Sequence, residues 1–138
     1  MISVLVHVFG PKYRRIVDQF MTPNDKVQIL KMNDPVAEAV DEMDEHDLKK
    51  ILIGDEDDPG QYYVLSLFDI KQEDVENDRK IRELGSRLHV APVAESGKAI
   101  SEIYTALKNN PLVVVKDVEG ALRGVVTMSD YTRKLYGV

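Results

Sequence analysis

Two short stretches of this sequence carry the same potential chemistry. They read Tyr63-Val64-Leu65-Ser66-Leu67-Phe68-Asp69 and Gly124-Val125-Val126-Thr127-Met128-Ser129-Asp130. Each ends an apolar strand on a hydroxyl residue and places an aspartate three positions later. That spacing suits a strand-to-helix junction. There a carboxylate can accept hydrogen bonds from a diol such as a ribose. The hydroxyl and the first free backbone N–H groups can face a phosphate. The same residue types also serve plain helix capping, through local hydrogen bonds alone.

The elements that must hold these junctions repeat as well. Val36, Ala39, Val40 and Met43 have the spacing of an apolar helix face, and Ile100, Ile103, Tyr104 and Leu107 repeat it. Ile51-Leu52-Ile53 matches Val113-Val114-Val115 as an apolar strand. Acidic turns follow both, Gly54-Asp55-Glu56-Asp57-Asp58-Pro59-Gly60 and the shorter Lys116-Asp117-Val118-Glu119-Gly120, so the strand pairs read as hairpins. Each copy is therefore strand, helix, strand, turn, strand, junction and a second helix. Asn33-Asp34-Pro35 predicts a helix start with proline at the first helical position, and Ser96-Gly97 predicts the second. The final helices are expected to begin at Asp69 and Asp130. The charged stretch from Lys71 to Arg87 reads as one exposed helix with a thin stripe of Val75, Ile81, Leu84 and Leu88.

Several chemistries are disfavoured. The chain has 138 residues, the size of one ordinary domain, and no cysteine, which removes disulfides, thiolate metal sites and cysteine nucleophiles. That usage fits a cytoplasmic protein. A formal charge of −6 disfavours nonspecific contact with nucleic acid or anionic membrane. No apolar run approaches the roughly 20 residues that span a bilayer. His7, His46 and His89 lack zinc-ligand spacing. The run Asp55-Glu56-Asp57-Asp58 lacks the alternating spacing of a calcium loop and reads as a solvated turn. No nucleophile–base–orienter set and no GxxxxGK phosphate loop is visible, so an enzyme is not expected. A small metal-dependent or hydrolytic enzyme with the acidic loop as its site is a further reading, and it would need a metal-dependent activity that is lost when Asp55, Asp57 and Asp58 are neutralised.

The ordered set of Phe20-Met21-Thr22-Pro23, the helix Val36-x-Glu38-Ala39-Val40-x-x-Met43 and the two junctions resembles a tandem pair of cystathionine β-synthase (CBS) domains, a Bateman module. The likeness covers residues 17 to 138. It implies an α/β (α+β) fold of two β-α-β-β-α units packed with pseudo-twofold symmetry. The corresponding division is an N-terminal extension over 1–16, a first motif over 17–75, a linker helix over 76–87 and a second motif over 88–138. The resemblance also implies clefts between the units that can hold adenosine-containing ligands such as AMP, ADP, ATP or S-adenosylmethionine, with no obligatory cofactor.

The resemblance further implies roles. Asp130 and Asp69 would hold ribose hydroxyls, and Thr127 and Ser66 would meet the phosphate or ribose. The base would lie against Val93, Ala94, Leu112 and Val113 in one cleft, and against Leu30, Lys31, Lys50 and Ile51 in the other. Arg133 would reach an anionic tail, and Ser129 supplies a second hydroxyl. Where the second copy has Gly124, the first has Tyr63, which adds bulk where a small residue would let a ligand approach. That favours the Thr127/Asp130 cleft.

The expected protein is a stand-alone ligand sensor that forms a homodimer and regulates a separate protein target. Val36, Val40, Met43, Ile103 and Leu107 are candidates for dimer contacts and equally for each unit's own core. The alternative is an interaction or dimerisation module with degenerate, empty clefts. The opening Val4-Leu5-Val6-x-Val8-Phe9 reads as a strand, followed by a basic cluster, Lys12-Tyr13-Arg14-Arg15, on a surface helix.

Overall fold

The computed structural model describes residues 15–136. The N-terminal strand and most of the basic cluster expected from the sequence lie outside them. The chain forms two compact units: residues 15–27 with 92–136, and Gln28–Ala91. The sequence reading put 17–27 with the first unit; in the structure they belong with the second.

In the Gln28–Ala91 unit, β2 (Ile29–Lys31) leads into α1 (Val36–Glu45), then the hairpin β3 (Lys50–Gly54) and β4 (Tyr62–Ser66). A 3-10 turn (Leu67–Asp69), α2 (Gln72–Glu76), a second 3-10 segment (Ile81–Arg87) and β5 (His89–Val90) complete it. The other unit contains β1 (Thr22–Pro23), β6 (Val93–Glu95), a 3-10 turn (Ile100–Ile103) running into α3 (Tyr104–Asn109), the hairpin β7 (Val113–Lys116) and β8 (Leu122–Val126), and α4 (Met128–Tyr136). The sheets share one plan. Their orders are β2-β3-β4-β5 and β6-β7-β8-β1, with the first pair parallel and the other two antiparallel in each.

Apolar periodicity explains the packing. Val36, Ala39 and Met43 of α1 meet Ile51, Ile53 and Leu65 in one core. Ile100, Ile103 and Leu107 meet Val113, Val115 and Val126 in the other. Of the five residues that were candidates for either core or dimer contact, only Val40 escapes full burial.

Each unit is clasped by a further segment, outside the repeat read from the sequence. The N–H of Ile100 donates to Arg15 O at 2.8 Å and that of Val17 to Lys98 O at 2.7 Å. In the other unit Val36 donates to Arg79 O at 2.9 Å and Ile81 to Asp34 O at 2.9 Å. Both clasps are capped alike, Ile16 N to Gln19 Oε1 at 2.9 Å and Lys80 N to Glu83 Oε2 at 2.7 Å. Phe20 and Leu84 then plug the respective cores. Burying one such side chain contributes about 2 kcal/mol, which holds residues 15–27 to their unit.

The clasp breaks the expected linker helix. Asp78 (φ 54°) and Gly85 (φ 57°, ψ −122°) both leave the helical region. Gly85 occupies backbone space open essentially to glycine. Val75, expected on the apolar stripe, is exposed, and its neighbour Asp74 is buried. The helix starts also differ. Pro35 is extended (φ −66°, ψ 145°) and precedes α1 rather than opening it, and Asp34 does not cap the helix: its Oδ2 accepts from Lys31 N at 2.8 Å. Ser96 caps nothing: its hydroxyl donates to Asp18 Oδ2, and Gly97 N donates to Asp18 Oδ1 at 2.7 Å. The final helices begin earlier than Asp69 and Asp130, with a 3-10 turn from Leu67 and α4 from Met128.

Candidate functional site

Both hydroxyl–x–x–aspartate motifs lie where the last hairpin strand turns into helix, but the two aspartates are in different states. Asp130 is self-satisfied. Thr127 N donates to Asp130 Oδ2 at 3.1 Å and Asp130 N donates to Thr127 Oγ1 at 3.1 Å, a reciprocal capping box. Arg133 Nη2 takes the other oxygen, donating to Oδ1 at 2.6 Å. Asp130 is accordingly only 6% exposed. A cavity of about 440 Å³ beside this junction is lined by Met128, Ser129, Thr132 and Arg133.

Asp69 is open. Its side chain is 38% exposed, and its Oδ2 lies 3.4 Å from His89 Nε2. Ser66 Oγ accepts only a long bond, 3.3 Å, from Phe68 N. Phe68 itself is 77% exposed, with Lys49 Nζ 5.7 Å from its ring centroid.

A buried ion pair fixes this open junction from behind. Asp74 is fully buried and accepts from Arg87 twice, at 2.7 and 2.9 Å, from Arg79 at 2.7 Å and from Lys71 N at 2.8 Å. Arg87 also donates to the Asp69 carbonyl at 3.0 Å. The Arg87 hydrogen bonds hold the Asp74 carboxyl far below the usual aspartate range, against the opposing effect of burial. In the other unit, burial pushes the Asp18 carboxyl up, but the bonds from Ser96 and Gly97 outweigh it and the net shift is down.

Strand register sorts the remaining expected contacts. Val113 pairs with Val126 and Val93 with Val114, so Val93, Leu112 and Thr127 share one end of their sheet. Val93 is 45% exposed there, but the side chains of Ala94 and Val113 belong to the core. In the Gln28–Ala91 unit Lys50 pairs with Ser66, at the junction end. Lys31 pairs with Gly54, at the opposite end of β3, so it does not join Ser66. Leu30 and Ile51 point into the core and offer only backbone.

Gly124 has a different job from the one expected. A Cβ there would lie 2.3 Å from Thr22 O, because Pro23 of β1 pairs directly against it. The glycine admits the N-terminal segment. Tyr63 holds the matching position in β4, pairs with Val90 of β5 and packs on the core of its own unit.

The acidic hairpin is an arginine mount. Arg82 Nη2 reaches Asp55 at 3.3 Å, Glu56 at 3.3 Å and Asp57 at 3.0 Å. Glu42, Glu45 and His46 are the one group among the described residues close enough to share an ion, all on one turn at the end of α1. No described helix is long and apolar enough to cross a membrane.

No protein-family model and no curated protein matches the chain. Solved structures do. A hemolysin-like CBS-domain protein of Oenococcus oeni PSU aligns over 92% of this chain and 94% of its own, at TM-score 0.75 and 14% identity. The CBS domain of the bacterial CNNM/CorC Mg²⁺ transporter family, in complex with ATP, aligns over 96% and 95%, at TM-score 0.78 and 17% identity. CBSX2 in complex with AMP aligns over 88% and 96%, at TM-score 0.70 and 18% identity; the protein is from Arabidopsis thaliana. With two units of one topology and these likenesses across nearly its whole length, the chain has the fold of a tandem CBS-domain pair.

Proposed function

We propose that this protein is a regulatory module that binds an adenosyl ligand, of the AMP, ADP, ATP or S-adenosylmethionine type, and that the Ser66/Asp69 junction takes it first. The observation that carries this reading is the contrast between the two aspartates. Asp69 offers a half-exposed carboxylate on a backbone braced by Arg87. A ribose diol can bond it at little cost. At Asp130 the same diol must displace Arg133 and break a capping box. Structures of similar fold contain ATP and AMP.

Ser66, Lys50 and the exposed Phe68 ring then supply polar and stacking contacts around the ligand. The module acts on a separate protein target in the cytoplasm, as a homodimer, without catalysing a reaction. Regulation requires that the ligand bind two conformations unequally, since equal affinity shifts nothing. The second reading, an interaction module with empty clefts, draws on the closed state of Asp130. Isothermal titration with AMP, ATP and S-adenosylmethionine, with GTP as control, tests the choice. Saturable heat with an adenosyl ligand alone supports the sensor; none with any of them leaves the interaction module.

A further inference from the structure

The end of α1 and the chain that follows enclose a groove of about 280 Å³. Its floor is apolar, built from Val40, Met43, Leu48 and Leu67, and Asp41, Asp44 and Asp47 stand around it. None of these three carboxylates has an ion pair or a side-chain hydrogen bond among the described residues. Lys49, the one cation lining the groove, lies over the Phe68 ring.

This charge is misplaced for stability. A helix C-terminus carries partial negative charge and favours cations. Yet α1 has no basic residue in its last turn, and Asp44 stands in that turn. Asp47 follows in the left-handed region (φ 53°), where the turn closes with Leu48 N bonding Met43 O at 2.7 Å. In the other unit the equivalent helix α3 has Thr105 and Lys108 at the places of Asp41 and Asp44. Natural proteins break such local rules chiefly at functional or strained sites.

We propose that this groove docks a basic segment of a partner protein. A lysine or arginine matches it in both parts, with an aliphatic stem for the apolar floor and a cationic head for the rim and helix end. The assignment does not depend on the ligand reading, although Leu67 belongs both to the groove and to the turn that carries Asp69.

The test uses the full chain and a fluorescein-labelled amphipathic peptide of lysine and leucine, followed by anisotropy at physiological salt. Asp41→Asn/Asp44→Asn/Asp47→Asn is compared with Asp25→Asn/Glu95→Gln/Glu119→Gln, which removes equal charge from exposed sites elsewhere. Asparagine tolerates the left-handed backbone at position 47. The expected result is saturable binding that the groove variant weakens about tenfold and the control variant changes less than about twofold. Amide shifts in ¹⁵N spectra are expected to map to residues 40–49 and 67. Equal weakening by both variants, absence of peptide binding, or full displacement by spermine at matched charge would overturn the proposal. A groove variant that turns a dimer into a monomer would overturn it too, since a second copy would then be the occupant.

Discussion

The carbonyl oxygen of Thr22 stands where a side chain on Gly124 would begin. An added Cβ would approach it to 2.3 Å, and Thr22 C and Met21 Sδ to 3.1 Å each. Two of these three atoms are backbone, so relief requires β1 to move. Gly124→Ala is expected to destabilise the protein by about 1–3 kcal/mol and loosen residues 15–27. Urea unfolding and hydrogen exchange at Val17 and Phe20 would check this. Unchanged stability would mean that β1 is not seated as described.

Asp74 and Arg87 make the second prediction. Breaking a buried pair leaves an uncompensated charge, so Asp74→Asn is expected to cost about 3 kcal/mol. That is the lower end for such pairs, because Arg79 and Arg87 are themselves 36% and 26% exposed. Replacing both partners, as Asp74→Leu/Arg87→Met, is expected to recover much of the loss. Denaturant unfolding of the two variants provides the comparison.

Acid sensitivity follows from the same group. Asp74 and Asp18 are both held below their ordinary value of 3.8 in the folded state, so the unfolded chain binds protons first as pH falls. Their contribution is complete well above that value and is lost as pH drops through and below it. Unfolding midpoints are therefore expected to be level near neutrality and to fall steeply in acid. Arg87→Met is expected to flatten that acid limb.

A fourth prediction concerns the cost of the acidic groove. Relieving charge repulsion at the end of α1 with Asp44→Asn is expected to raise stability by about 0.3–1 kcal/mol while weakening basic-peptide binding. Thermal unfolding at low salt is the sensitive measurement. A destabilised variant would contradict the electrostatic account of the groove.

Much of this architecture was legible in the sequence, because period-3.6 and period-2 apolar patterns report directly on burial. Val36, Ala39 and Met43 announced α1, and Val113-Val114-Val115 announced β7. The clasps were not legible, since Val17 and Phe20 match Ile81 and Leu84 by only two apolar side chains and a cap. Their hydrogen bonds run through backbone, which carries no residue signature. Nor could composition separate Asp74 from its charged neighbours; burial depends on Arg87 folding back onto it. At the junctions the residue types were legible and their states were not. Arg133, expected to reach an anionic tail, donates to the carboxylate beside it. Tyr63 and Gly124 illustrate the hazard of reading a glycine: the space it leaves went to backbone rather than to a ligand.

The most direct test compares the two aspartates. Thermal unfolding would be followed with about 1 mM AMP, ATP or S-adenosylmethionine for the wild type, Asp69→Ala and Asp130→Ala. A ligand at 100 times its dissociation constant adds about 2.7 kcal/mol, several degrees in a domain of this size. A shift is expected in the wild type that disappears in Asp69→Ala and survives in Asp130→Ala. A shift lost in Asp130→Ala and kept in Asp69→Ala would put the ligand at the other junction and overturn the assignment to Asp69.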